Sequence, residues 1–244
     1  DQQSALFGQC CFTPGQAKAT YGTGTFLLVN DGESLAPPPH GLVRTAAAQP
    51  GVTALEGSVF VSGAAVQWLR DGLGILVEAA ETERLARSIE STGGVHFIPA
   101  LAGLGSPHWR PDVRGVISGI TGGTGRAHLA RAALEAIAFQ VRDVVEVLPD
   151  ALTALRADGG ATVNGWLMQF QADILGMPVE VASEHETTAM GAAALAGLAV
   201  GLWRDGTAVA ESRQPATLVE PRMSRDEADE RYSGWLTALQ GAIG

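Results

Sequence analysis

Two glycine-containing turns in this sequence have the residue types of a phosphate-binding loop. Residues 21–25 (YGTGT) put Thr23 between two glycines at a predicted hairpin turn, and residues 158–164 (DGGATVN) join a predicted strand to a predicted helix. Backbone amides in such turns can converge on an anion, and glycine allows the ligand a close approach. For the first turn alone an ordinary hairpin is favoured. Asn164, one of only two asparagines, moves the second turn slightly towards ligand binding.

Two predicted helices carry further candidates. In residues 63–71 (GAAVQWLRD), Gly63 and Gln67 lie one turn apart on one helix face, so both could touch the same ligand, although this segment alone indicates nothing special. Asp1 and Gln2 stand at the start of another predicted helix. A carboxylate there is usually a helix cap. As a functional residue it would accept a proton from a substrate hydroxyl, with Gln2 hydrogen-bonding a polyol; the residues alone favour the cap.

Other chemistries lack their sequence signatures. No Walker A sequence occurs, and the serine of residues 103–106 (GLGS) lacks the flanks of a nucleophile elbow. The five histidines are scattered and show no metal-ligand spacing. A kinase built on this sequence therefore needs a different phosphate-binding loop.

The composition indicates an acidic globular protein. Of 244 residues, 46% are hydrophobic and 17% are charged, with a net charge of −10; this argues against nucleic acid or an anionic membrane as a partner.

Cys10 and Cys11 are adjacent and poorly placed to form a disulfide, which favours a cytoplasmic location. Residues 187–203 are uncharged but mostly alanine and glycine, so we expect an internal helix there rather than a membrane span. Because the chain opens on Asp1 without an initiator methionine, we expect a fragment of a longer protein.

The predicted elements place the candidates in one α/β domain. Strands are expected at residues 17–21, 25–30, 42–48, 52–56, 96–99, 115–120, 152–157 and 178–182. Helices are expected at residues 2–10, 63–73, 82–89, 126–148, 164–175, 188–202 and, after a capping box, 224–242. The polar residues 204–222 are expected to be a surface connection. Strands followed by alternating strands and helices predict a mixed sheet covered by helices.

Taken in order, the motifs resemble the glycerol kinases of the FGGY carbohydrate kinase family. The resemblance extends to about Trp203. It rests on the opening DQQSALFGQ of residues 1–9 and on segments 21–25, 54–57, 63–71, 103–105, 158–164, 167–171 and 191–201. Each segment is weak alone, but so many in family order are very improbable by chance.

The resemblance implies a fold and a set of residue roles. The fold would be the actin-like ATPase, ribonuclease H-like one, with residues 1–244 forming the C-terminal, nucleotide-binding domain and the N-terminal domain absent from this chain. Asp1 would be the catalytic base, would bind the substrate together with Gln2, and would contact Mg²⁺. The adenine nucleotide would be bound by Thr23, Gly63, Gln67, Gly160 and Asn164.

The resemblance also implies a reaction and its partners. The full-length enzyme would phosphorylate glycerol to glycerol 3-phosphate with ATP and Mg²⁺, as a cytoplasmic homo-oligomer. This chain alone would be inactive and at best a weak nucleotide binder, because the N-terminal domain carries other glycerol contacts. Arg110 stands where many family members have an acidic residue, which leaves the role of that loop open.

Two alternatives stay open. Another FGGY kinase acting on a pentulose or a different polyol is disfavoured by the DQQ sequence at residues 1–3. A non-catalytic actin-like module that binds nucleotide is disfavoured by the retention of Asp1.

Overall fold

The computed structural model describes residues 1–184, 186–213 and 216–244. The strands in this part of the chain are β1 (Gln16–Tyr21), β2 (Thr25–Asn30), β3 (Val43–Ala46), β4 (Thr53–Val59), β5 (His96–Ile98), β6 (Val116–Ser118), β7 (Ala154–Asp158), β8 (Val179–Val181) and β9 (Thr217–Val219). The α-helices are α1 (Gln2–Gly8), α2 (Gly63–Gln67), α3 (Glu81–Arg87), α4 (Arg126–Val145), α5 (Gly165–Leu175), α6 (Thr187–Ala199), α7 (Gly206–Glu211) and α8 (Arg225–Ile243).

A seven-stranded mixed sheet organises these elements, in the order β3-β4-β2-β1-β7-β8-β9. The pairs β1–β7 and β7–β8 are parallel, whereas β1–β2, β2–β4, β3–β4 and β8–β9 are antiparallel. The antiparallel hairpin comes first and the parallel strands follow through helical crossovers, as the order of predicted elements indicates. The predicted mixed sheet is confirmed.

Alternation along the central strands sends side chains to two different layers. On one face Ala17, Ala19 and Leu27 join the main core with α4 and α5. On the other face Leu28 packs with Leu6 of α1, and α6 lies against α1. The predicted covering of the sheet by helices is confirmed, and helices lie on both of its faces.

Three local predictions need correction. The first helix ends at Gly8 rather than at residue 10, because the chain turns at Cys10 into the left-handed region with φ 55°. The helix predicted over 63–73 becomes a π-helical turn at Trp68–Gly72. The segment predicted as a surface connection, 204–222, contains α7 and the edge strand β9, which pairs with β8. Three residues, of which Thr217 and Leu218 are exposed, give too little alternation to be recognised as a strand.

None of the helices in the described ranges is both long enough and apolar enough to span a membrane. Residues 187–203, whose lack of charge raised that question, form α6, where Thr187, Gly191, Ala194 and Gly197 are buried.

Candidate functional site

A cavity of about 420 Å³ lies where the two glycine turns meet α2. The five residues predicted to bind the nucleotide all line this cavity: Thr23, Gly63, Gln67, Gly160 and Asn164. They come from segments far apart in sequence, so the fold meets the geometric condition for a common ligand. Their individual roles in binding stay predictions.

The first glycine turn is docked on the start of α2. The Thr23 carbonyl accepts hydrogen bonds from the amides of Ser62 (2.9 Å) and Ala64 (3.0 Å), and the Gly63 amide donates to the Gly22 carbonyl at 3.0 Å. A Cβ on Gly63 would lie 2.6 Å from the Gly22 carbonyl oxygen, so only glycine permits this approach. Within the described ranges the Thr23 amide and hydroxyl donate to no other group. Both remain available to a ligand in the cavity.

The second glycine turn combines a constrained glycine with an open one. Gly159 has φ 91°, and a Cβ there would lie 2.6 Å from the Tyr21 carbonyl oxygen at the end of β1. This contact brings the second turn up to the first. Gly160 differs, because a Cβ built on it meets no heavy atom within 4 Å. Gly160 therefore borders the open space of the cavity without being needed for packing.

Asn164 holds the second turn in place. Its Oδ1 caps α5 by accepting from the Leu167 amide at 3.0 Å, and its Nδ2 donates to Thr82 Oγ1 of α3 at 3.2 Å. An asparagine at this position supplies the first amides of the helix with an acceptor. The side chain is thus partly occupied by structural bonds, and one N–H remains for a ligand.

The rest of the lining comes partly from the motif segments and partly from α4 and the start of α3, which no motif identified. One wall is apolar and consists of Val66, Leu134, Ile137, Ala161, Val163 and Leu167. The start of α3 adds Ala79, Ala80, Thr82 and Glu83. An apolar wall beside a few polar groups is the usual build of a small-molecule site. The periodicity of α4 predicted which of its residues are buried, but no sequence signal indicated that α3 reaches this cavity.

Asp1 and Gln2 lie on α1 and are not among the residues that line this cavity. Asp1 is exposed and sits at the N-cap position, yet its side chain makes no capping hydrogen bond. The capping role that the residues alone favoured is therefore wrong. Gln2 is half-buried, and its Oε1 accepts a hydrogen bond from Lys18 Nζ of β1.

A buried carboxylate connects α1, the second glycine turn and α6. Asp158, directly before Gly159, accepts from Gln9 Nε2 (2.8 Å) and Thr187 Oγ1 (2.6 Å) through Oδ2, while its buried Oδ1 has no partner in the described ranges. Burial lowers the pKa of Lys18 to about 8, with the negative charges of Asp158 and Glu56 opposing this shift. Sequence reasoning missed Lys18, which lies in no recognisable motif, and it included Asp158 in the second glycine turn without giving this side chain a role of its own.

No cluster of three or more His, Cys, Asp or Glu side chains able to hold a metal occurs among the residues that the structure describes. Asp1 would thus offer Mg²⁺ a single carboxylate, and a magnesium ion bound with a nucleotide commonly takes its other ligands from phosphates and water. The contact between Asp1 and Mg²⁺ stays a prediction.

The sequence matches the FGGY family of carbohydrate kinases, C-terminal domain, over residues 17–200. Glycerol kinase 2 of Thermotoga maritima is 54% identical over 253 residues, and the glycerol kinase of Geobacillus sp. is 49% identical over 252 residues. Both alignments cover 100% of this chain but only 51% and 50% of the relatives. The chain thus spans about half the length of the curated relatives it matches.

Solved structures show the same relationship. The crystal structure of Plasmodium falciparum glycerol kinase with ADP has a TM-score of 0.92 and 38% identity, and covers 100% of this chain and 50% of that chain. Xylulose kinase from Rhodospirillum rubrum has a TM-score of 0.86 at 25% identity, with coverage of 100% and 50%. These similarities confirm the predicted actin-like α/β fold. Together with the match over residues 17–200, they show that the chain belongs to the FGGY family of carbohydrate kinases.

Proposed function

We propose that this chain is the nucleotide-binding half of an ATP-dependent glycerol kinase, which transfers the terminal phosphoryl group of ATP to glycerol and forms glycerol 3-phosphate. The observation that carries the proposal is the shared cavity of Thr23, Gly63, Gln67, Gly160 and Asn164. The relatives at 49% to 54% identity are named glycerol kinase, which supports this acceptor. The domain would act together with an N-terminal half like the one that these relatives have.

In this proposal Asp1 is the general base. Its carboxylate is exposed and unbonded, so it is free to take the proton from the glycerol hydroxyl that attacks the phosphoryl group. Gln2, the next residue, would hold a glycerol hydroxyl. Phosphoryl transfer depends mainly on in-line positioning and on neutralising charge, so a base and a set of well-placed donors are sufficient roles for side chains.

The two glycine turns would bind the nucleotide. The Thr23 amide and hydroxyl would donate to phosphate oxygens, and the open space beside Gly160 would take the nucleoside against the apolar wall of α4. Mg²⁺, when bound, supplies positive charge to the phosphate oxygens. Among the residues of this chain, Asp1 is the proposed contact to that ion.

Two alternatives are weaker. A kinase for a pentulose or another polyol would have the same fold, but the xylulose kinase structure is only 25% identical. A non-catalytic nucleotide-binding module would not need an exposed carboxylate at the end of α1. Activity measured on a panel of glycerol and pentuloses distinguishes a glycerol kinase from the first alternative. Phosphorylation of any of these substrates excludes the second.

Location and assembly belong to the same proposal. The free, buried cysteines Cys10 and Cys11 are compatible with a reducing cytoplasm. Assembly into a homo-oligomer stays a prediction, to be tested by the mass of the protein in solution.

The substitution Asp1→Asn in the two-domain kinase tests the mechanism. We expect kcat for glycerol phosphorylation to fall by about 10²–10⁴-fold, the usual contribution of a general base, while the Kd for ADP stays within about twofold because Asp1 lies outside the cavity lining. Asp150→Asn is the matched control, since Asp150 is exposed and is not among the residues that line the cavity. Near-normal turnover by Asp1→Asn would contradict the assignment.

A further inference from the structure

Lys18 is the only lysine in this chain. Of the sixteen basic residues, the other fifteen are arginine. Most of the arginines take part in ion pairs, at the surface or, for Arg131, in the interior, whereas Lys18 lies on β1 with no exposed surface at all. A sequence that uses arginine everywhere else therefore keeps lysine at a fully buried position, where an ammonium group is costly to desolvate.

The surroundings of the Lys18 ammonium group explain why arginine would not serve there. Its three protons meet three neutral oxygens: Gln2 Oε1, Thr20 Oγ1 at 2.9 Å and the Phe26 carbonyl at 3.2 Å. No carboxylate lies within ion-pair distance of Lys18 in the described ranges. A compact ammonium group can direct three donors to three separate acceptors, whereas the planar guanidinium fork of arginine cannot.

The bond to Gln2 fixes the direction of the Gln2 amide. An ammonium group has donors only, so the atom of Gln2 that faces Lys18 must be the carbonyl oxygen Oε1. The NH₂ group of Gln2 is then turned away from Lys18. It donates to no other group in the described part of the chain, and it belongs to the residue that follows Asp1.

We propose that Lys18 is a positioning residue for the acceptor substrate: it holds Gln2 so that Nε2 donates to a glycerol hydroxyl oxygen. The inference rests on the proposed function. A hydroxyl oxygen that accepts from Gln2 can direct its own proton to a second acceptor, and the Asp1 carboxylate is the adjacent one. Lys18 thus fixes the hydrogen-bonding roles at this site: Gln2 donates to the substrate hydroxyl, and Asp1 accepts its proton.

The substitution Gln2→Glu tests these hydrogen-bonding roles in the two-domain kinase. Glutamate keeps an acceptor for Lys18 and nearly the same shape, but it replaces the outward donor by an acceptor. We expect the KM for glycerol to rise by about tenfold, the effect of losing one hydrogen bond to substrate, while the KM for ATP does not change. A glycerol KM equal to that of the unaltered enzyme would overturn the inference, because Gln2 would then present its oxygen to the substrate.

A double-mutant cycle tests whether Lys18 acts through Gln2. Lys18→Met removes the donors at similar length, and we expect it to raise the glycerol KM about tenfold in the unaltered background but to have little further effect after Gln2→Ala. Gln3→Ala is the matched control background, because Gln3 Nε2 donates to Thr45 Oγ1 instead. In the Gln3→Ala background, Lys18→Met should still raise the glycerol KM by about tenfold.

The outcomes separate the inference from the function on which it rests. The affinity for ADP, measured in parallel, shows whether the Lys18→Met variant still folds. If this variant does not fold, the Gln2→Glu substitution alone tests the inference. A Lys18→Met effect of equal size with and without Gln2 would overturn the inference while the kinase assignment stands. If the unaltered two-domain enzyme phosphorylates no glycerol, the proposed function fails and the inference fails with it.

Discussion

At the scale of single residues, Gly160 offers a direct test of the cavity. A Cβ at this position meets nothing within 4 Å, and its φ is not positive, so a larger residue need not strain the fold. Gly160→Leu should therefore fill part of the cavity and weaken ADP binding by about tenfold or more, the effect of overpacking a site by a bulky side chain. Isothermal titration calorimetry with ADP measures this change.

Gly122→Leu is the matched control for that experiment. Gly122 also has open space around it and is exposed, but it does not line the cavity. We expect ADP to bind this variant normally. If Gly160→Leu and Gly122→Leu bound ADP equally well, the cavity would not be the nucleotide site.

Lys18 gives a prediction for stability against pH. Its pKa is lowered from 10.5 to about 8 by burial, so between these values the folded state binds fewer protons than the unfolded state. The free energy of unfolding should therefore rise with pH from about 8 to 10.5, and fall as the pH decreases through 8. One linked proton changes it by at most about 1.4 kcal/mol per pH unit.

Urea unfolding at several pH values, compared with Lys18→Met, isolates this contribution. Other groups titrate in the same range, but they are common to both proteins and cancel in the difference. The difference between the two free energies should grow with pH in favour of Lys18. Parallel pH profiles for the two proteins would show that the ammonium group is not destabilised by its burial.

The residues of the site could be predicted from sequence to unequal extents. Thr23 and Gly160 lie in glycine turns that can be recognised as motifs. The sequence of the first turn favoured an ordinary hairpin, and that of the second only slightly favoured ligand binding. Their convergence was expected only from the family resemblance. Lys18 lies in no motif, and its proposed role depends on three oxygens that the fold brings to it.

At the scale of elements, the contact between α1 and α6 depends on glycine. A Cβ on Gly191 would lie 1.8 Å from the Ser4 carbonyl oxygen, and one on Gly8 would lie 2.1 Å from the Thr187 carbonyl oxygen. The two helices thus approach through backbone atoms. Because α1 also carries the proposed base Asp1, α6 sets the position of that base relative to the sheet.

Gly191→Ala should therefore separate the two helices. We expect a loss of about 1–3 kcal/mol in the free energy of unfolding, typical of overpacking, and a lower kcat in the two-domain kinase with little change in ADP affinity. Gly241→Ala in α8 is the matched control, since a Cβ there meets nothing within 4 Å. This control should be stabilised by about 0.5–1 kcal/mol, because alanine favours the helix. Equal effects of the two substitutions would contradict the packing argument.

Elements with strong periodicity could be predicted from sequence, and weak ones could not. The long helix α4 and the strands β1, β2 and β7 matched their hydrophobic patterns within a few residues. The edge strand β9 did not, because its Thr217 and Leu218 are exposed and its pairing partner β8 is distant in sequence. An edge strand of three residues is fixed by its neighbour rather than by its own composition.

At the scale of the whole molecule, the cavity and α1 lie against different faces of the sheet. The cavity for the proposed nucleotide lies between the glycine turns and α4, whereas Asp1 and Gln2 lie on α1 on the other face of the sheet. The buried Asp158 joins the two regions through Gln9 and Thr187. This domain could therefore bind a ligand in the cavity by itself. It does not shield the exposed Asp1 from solvent.

This arrangement predicts that residues 1–244, prepared alone, bind ADP but do not phosphorylate glycerol. Phosphoryl transfer requires a site closed to water and a positioned acceptor, and the exposed Asp1 provides neither by itself. ADP should raise the Tm of the chain in a concentration-dependent way, because it binds only the folded state, and Gly160→Leu should make that shift smaller at each ADP concentration. Glycerol phosphorylation should appear only when the N-terminal half is supplied. Turnover of glycerol by residues 1–244 alone would show that one domain holds the complete site.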